Sequence, residues 1–245
     1  MLECGRTAGL IIAAPLAWLN APIRIRGALV LMLAFVIHGT GKPQNELTSL
    51  LETSWVFVSE FTLGIAMGLV VRFVVAMAEV AAEIIAPMLG LSVAHVFDAT
   101  SHSSQNLMTT LMRHVSVLIA LAIGIHRVLL AALIGGFKAI PVGGAAAPAN
   151  SLKLMCELSS NVLVVGVRLA LPLLAVLFIV QITLAFVSRA APQLQVFSVG
   201  FAIATAVGLV TLILIFPDIT RGFIVEYSQV STQLERLYGD MGAKP

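Results

Sequence analysis

Charged side chains are what this 245-residue sequence has least of: Asp, Glu, Lys and Arg make up 11% of it, where an ordinary globular chain carries about 25%. Set against a 59% hydrophobic content, that shortage excludes a soluble domain, which could not build a polar coat from so few charges. The alternation of polar and apolar residues that ~10-residue barrel strands need is also missing, and long Leu/Val/Ala runs stand in its place. Only helices and closed barrels satisfy their backbone groups in lipid, so the expected class is all-α and integral to a membrane. A net charge of +2 is too small to suggest a nucleic-acid partner. The two cysteines, Cys4 and Cys156, form no CxxC and no metal-ligand spacing, so they define neither a zinc site nor a redox compartment. Internal repeats and low-complexity tracts are absent as well.

What is present is organised around residues 169–216. Neither 169–188 nor 190–217 carries a charge, and between them stand Arg189 and the short run Ala190-Ala191-Pro192-Gln193-Leu194-Gln195. Spanning a hydrocarbon core ~30 Å thick takes roughly 20 apolar residues, and both runs are long enough. Pro192 lies in the connection, where it breaks no helix. The pattern predicts an α-hairpin with Arg189 and two glutamines at its tip.

Elsewhere the apolar runs are shorter or interrupted. Arg6 and the apolar stretch 8–19 imitate a signal peptide, but the stretch contains Pro15 and leads into Pro22, Arg24 and Arg26 without a convincing small-residue cleavage site, so it is read as a membrane segment. Residues 27–37 are likewise short, and 42–46 form a polar loop. Residues 55–71 contain Glu60, 73–85 contain Glu79 and Glu83, and 115–137 carry His126-Arg127 near the middle. An Ala/Pro/Asn linker leads to Ser151, and 161–167 lead through Arg168 into the hairpin. Beyond Pro217 the residues Phe223, Tyr227, Val230, Leu234 and Leu237 recur at helical spacing and predict one apolar stripe.

A single charge at mid-bilayer costs ~2.5–3.5 kcal/mol, so Glu60, Arg72, Glu79, Glu83, Arg127 and Arg168 require protein or water around them, and the chain requires companions. Arg72, Glu79 and Glu83 share a helical face, because offsets of 7 and 11 residues at 100° each return to within about 20° of Arg72. They read either as a proton relay or as satisfied ion pairs at a buried interface. Gly64 and Gly68 form a GxxxG, which permits close helix packing. His126-Arg127 reads as a polar contact at a helix break. No nucleophile–base pair with recognisable spacing is visible, His95, His102 and His114 match no metal signature, and no cofactor or metal is expected. The segment 90–108 is loop-like between apolar helices. A loop at membrane depth must be buried in protein or line a cavity, which makes Gly90, Leu91, Val93, Phe97, Asp98, Leu107 and Met108 candidates for a functional loop.

At this point the residues resemble a known family. Arg189-Ala190-Ala191-Pro192-Gln193-Leu194-Gln195-Val196-Phe197-Ser198-Val199-Gly200-Phe201 closely resembles the RxAPQLxxFxxGF segment of the FliR family, the flagellar export-gate proteins related to SctT of type III secretion. Leu169 to Pro172 precede the hairpin as in that family. Glu83, Gly90-Leu91-Ser92 and Asp98 are similar to its GExxGxxxGLSxxxxxD stretch. His126 and Phe137-Lys138-Ala139-Ile140-Pro141-Val142-Gly143 are similar to its GHxxLxxxxxxSFxxLPxG, and Arg6, Pro15, Pro22 and Arg24 to its opening. Departures are Pro87 and Met88 before the loop, Ala202 where a proline commonly stands, and a start that lacks the apolar residues members carry ahead of the arginine matching Arg6.

The resemblance implies a non-enzymatic subunit of a helical export-gate pore, in which residues 1–150 form a FliP-like part and 151–245 a FliQ-like hairpin with an amphipathic tail. It implies assembly with FliP, FliQ and FlhB-like subunits in the bacterial inner membrane at the flagellar basal body, passing unfolded flagellar subunits. It makes the loop at about 89–108 a plug and Arg189, Pro192, Gln193, Leu194, Phe197, Gly200 and Phe201 an assembly tip. Arg72, Glu79 and Glu83 are the expected buried charges. The alternative is a proton-coupled secondary transporter using Glu79 and Glu83.

Overall fold

The computed structural model describes residues 2–15, 22–38, 50–89, 107–144, 149–190 and 196–242, and among these there are eight helices and no strand. They are α1 (Glu3–Ala13), α2 (Ile23–His38), α3 (Leu50–Ile85), α4 (Leu107–Ile123), α5 (Ile125–Ala139), α6 (Ala149–Ala190), α7 (Val196–Ser228) and α8 (Val230–Gly242). The chain is all-α, as its composition requires. Three helices are long and apolar enough to cross a membrane, Leu51–Ile85, Leu152–Ala190 and Ala202–Gly239, and the bent pair α4–α5 makes a fourth if it counts as one span.

The helices contribute to two compact units. The first comprises Met1–Val75, Val117–Ser160 and Val225–Pro245. In it α1 and α2 are antiparallel neighbours, with His38 Nδ1 at the end of α2 3.1 Å from Glu3 Oε2 at the start of α1. Helix α1 runs parallel to α3, as the order of contacts shows: Gly5 faces Phe57 and Glu60, Gly9 faces Phe61 and Gly64, and Ala13 faces Gly68. Each helix therefore brings a GxxxG to the seam, Gly5/Gly9 on one and Gly64/Gly68 on the other. A methyl group on Gly64 would overlap the Arg6 carbonyl, and one on Gly9 the Phe61 carbonyl. This is the small-residue packing that holds helices together where apolar burial alone gives no preference for protein over lipid.

Between α4 and α5 the backbone turns at Gly124, whose φ of +86° is left-handed, and the two helix axes differ by 65°. Residues with a Cβ rarely take that conformation, so the interruption expected beside His126-Arg127 is placed by the glycine. Helix α8 packs on α5.

The second unit comprises Ala76–Ser116 and Asn161–Ile224. Here α6 and α7 form the expected antiparallel hairpin, with Gly200 opposite Leu184, Gly208 opposite Leu177 and Gly222 opposite Leu169. Two expectations need correcting. Residues 149–151 belong to α6 and not to a linker, and α6 runs unbroken through Arg168 and Pro172 for 42 residues. Helix α7 similarly continues through Pro217. Neighbouring helices and local adjustment tolerate proline in membrane helices. The stripe anticipated in the tail is real: Phe223, Tyr227, Val230, Leu234 and Leu237 are all fully buried.

Candidate functional site: paired charges on the apolar helices

The first concentration of chemistry lies in the first unit and joins α1, α3 and the turn after α5. The Arg6 guanidinium grips the Glu60 carboxylate through two hydrogen bonds, Nε to Oε2 at 2.7 Å and Nη2 to Oε1 at 3.0 Å. Both side chains are 0% exposed. Nη2 also donates to the Ile140 carbonyl at 3.2 Å, and the guanidinium carbon lies 4.1 Å from the centre of the Phe137 ring, where the ring face attracts a cation. From the other side, the Gly143 N–H donates to Glu60 Oε1 at 3.1 Å. Gly143 has a φ of +82°, which lets the turn aim that N–H back at the carboxylate. Nη1 of Arg6 has no hydrogen-bond partner among the described residues.

Sequence reasoning recognised the parts of this knot but not their union. Glu60 was a charge in need of a partner, while Arg6 and Phe137–Gly143 were separate fragments of a family pattern. Arg6 and Glu60 lie 54 positions apart, beyond any helical spacing. The available signal was the second GxxxG at Gly5 and Gly9, matched to the one at Gly64 and Gly68 and lying beside the two ionic groups.

A second pair lies in the other unit. Arg113 Nε donates to Glu79 Oε1 at 2.5 Å, with side chains 28% and 14% exposed. Arg113 was not anticipated. Of the other expected buried charges, Arg72 is half-buried, whereas Glu83 is exposed on this chain. Arg127 and Arg168 are exposed too, and the Nδ1 of His126 is buried without a hydrogen-bond partner among the described residues.

Much of the expected loop and tip lies outside the described residues: Gly90, Leu91, Val93, Phe97 and Asp98, then Pro192, Gln193 and Leu194, with the side chains of Phe197 and Phe201. Leu107 is exposed and Met108 buried where α4 begins. Arg189 is exposed at the end of α6, and Gly200 is buried.

Between α5 and α8 there is a cleft of about 580 Å³ lined mostly by Val128, Ala131, Ala132, Gly135 and Leu234. At its edge the Tyr238 hydroxyl donates to the Ala132 carbonyl at 2.7 Å and lies 3.3 Å from Met67 Sδ. No group of three His, Cys, Asp or Glu side chains among the described residues could hold a metal ion. Among the described residues the arrangement neutralises charge within an apolar frame.

The family model of bacterial export proteins, family 1, matches residues 1–230. The flagellar biosynthetic protein FliR of Escherichia coli K12 is 30% identical, over 86% of this chain and 82% of the relative. FliR of Buchnera aphidicola (subsp. Schizaphis graminum) is 29% identical over 79% of this chain and 75% of the relative, and FliR of Bacillus subtilis 168 is 26% identical over 73% and 69%. An all-helical chain with membrane-length apolar helices, matched over nearly its whole length, thus belongs to the bacterial export proteins, family 1, the family of the flagellar biosynthetic protein FliR.

Proposed function

We propose that this chain, as a component of a flagellar export apparatus, is a structural and gating subunit of the export gate that works without enzymatic chemistry. In this reading it forms, with FliP and FliQ, the inner-membrane channel for unfolded flagellar subunits at the basal body, with an FlhB-like subunit at the entrance. Residues 1–150 are the FliP-like part, 151–245 the FliQ-like hairpin, and the segment at about 89–108 is the plug that excludes water and ions until a substrate displaces it.

The observation that carries the proposal is the length of the exposed apolar surface. The span Leu152–Ala190 is 39 residues long and only 33% buried in its most apolar window. At 1.5 Å per residue it extends about 58 Å, nearly twice a hydrocarbon core of ~30 Å. Its exposed side chains run from Leu152 through Leu171 and Phe178 to Val187. Lipid covers about half of such a length, and protein companions are required for the rest. The transporter alternative finds less support, because Glu79 is held by Arg113 and Glu83 is exposed, which leaves no buried carboxylate pair to carry a proton.

Co-expression with FliP- and FliQ-like subunits, followed by detergent extraction, tests the assembly. All three are expected in one particle, and a well-behaved monomer that conducts or transports alone would overturn the reading. Deleting residues 101–107 tests the plug. Ion leak should rise with assembly intact, and unchanged conductance would remove the gating role.

A further inference from the structure

Helix α3 ends against the α6–α7 hairpin in a manner its own sequence does not require. Beyond Ile85 the chain makes one tight turn, with the Met88 and Leu89 N–H groups both donating to the Ile85 carbonyl at 3.1 and 3.2 Å. The two carbonyls of that turn, those of Met88 and Leu89, are met from outside. Thr205 Oγ1 on α7 donates to the Leu89 carbonyl at 2.8 Å, and Gln181 Nε2 on α6 reaches the Met88 carbonyl at 3.4 Å. The Leu89 side chain is 0% exposed. It fills the space left by Gly208, one turn along from Thr205: a methyl group on Gly208 would overlap Leu89 and crowd Leu177.

Thr205 behaves differently from the other threonines of the hairpin. Thr183, Thr211 and Thr220 donate to the carbonyl four residues back in their own helix, those of Ile179, Val207 and Phe216, which is the default bond for a helical threonine. Thr205 forgoes that bond to reach across to Leu89. A side chain that gives up a local partner for a remote one, directly beside a glycine notch, marks a built contact.

We propose that Thr205 and Gly208, facing Leu177 and Gln181, form a socket for Leu89 and are positioning residues that set where the chain leaves α3. In its effect on leak, this inference rests on the gating reading above; as an anchor of α3 it stands on the geometry alone.

The test uses the assembled export complex in membranes, with Cys4 and Cys156 replaced by serine and a reporter Met88→Cys. Labelling of position 88 by a membrane-impermeant maleimide is followed alongside ion leak. Thr205→Val, nearly isosteric, should raise labelling about fivefold, the factor for one lost hydrogen bond. Thr205→Ser should restore the original rate. Gly208→Ala should raise labelling, and adding Leu89→Ala should reverse it, because the second change vacates the space the first one fills. Unchanged labelling in both Thr205→Val and Gly208→Ala overturns the socket. Raised labelling with unchanged leak upholds the socket and instead overturns the gating role of residues 90–108. Raised labelling together with raised leak supports both.

Discussion

Replacing Glu60 with alanine is the most informative single perturbation, because it strands the fully buried Arg6 cation without its counter-ion. The carboxylate accepts two bonds from Arg6 and one from the Gly143 N–H, at 2.7, 3.0 and 3.1 Å, and neither charged side chain is exposed. Breaking a buried pair from one side costs about 3–5 kcal/mol. At 1.4 kcal/mol per tenfold, that is a loss of roughly two to three and a half powers of ten in the folded population. A domain holds only about 5–15 kcal/mol in all, so the variant should scarcely accumulate. Glu60→Gln keeps one acceptor oxygen, enough for Arg6 Nη2 and the Gly143 N–H but with its NH2 set against Arg6 Nε, and should fall between Glu60→Ala and the parent. Removing both charges is the decisive case: Arg6→Met with Glu60→Leu leaves no charge unpaired, only the Ile140 carbonyl and the Gly143 N–H without these partners, and replacing a buried pair by apolar residues is often close to neutral. Chain abundance in membranes and thermal aggregation in detergent report the order, which should be parent, then double variant, then Glu60→Gln, then Glu60→Ala. A Glu60→Ala protein as abundant and as heat-resistant as the parent would refute the reasoning, as would a double variant worse than either single one.

The seam between α1 and α3 should be equally sensitive to bulk. Gly64→Leu, which drives a side chain into the Arg6 backbone, should cost at least the 1–3 kcal/mol of an overpacked core and lower the yield of assembled complex, while Gly27→Ala, with nothing within 4 Å of the new methyl, should leave that yield unchanged. Exchanging the second pair for neutral residues, Glu79→Gln with Arg113→Gln, should preserve motility; a complete loss of motility with normal assembly would revive the proton-carrier reading. Tyr238→Phe, which removes the bond to the Ala132 carbonyl, should lower stability by about 1 kcal/mol, read as a drop in the midpoint of thermal aggregation.

The features legible in the sequence were those with a period or a length. The hairpin follows from two uncharged runs, and the tail stripe from five residues at helical spacing, each of which is fully buried. The break near His126 was legible because charge interrupts an apolar run, although Gly124 is what turns the chain. Helix ends were harder. Residues 149–151 read as the end of a linker and 161–168 as the lead into the hairpin, yet both belong to the first half of α6, on which Lys153, Glu157 and Arg168 are exposed. The uncharged arm read from residue 169 is only the second half of a helix that begins at Ala149, and both hairpin helices continue through their prolines, Pro172 and Pro217. The ionic knot was the least legible. Its members come from three segments, and only the folded packing of α1 against α3 brings them within reach. The pairing of Glu79 with Arg113 was hidden for the same reason: the partners sit on different helices, 34 positions apart.

The union of Arg6 with Glu60 also imposes a schedule on biosynthesis. A ribosome adding about 5–20 residues per second needs roughly 3–11 s to pass from the cation to its counter-ion 54 positions later, and Gly143 follows 83 positions after Glu60. Until then the Arg6 guanidinium of α1 lacks its counter-ion. The packing of α1 on α3 is therefore completed only after Glu60 has been made, and the brace from Gly143 comes later still.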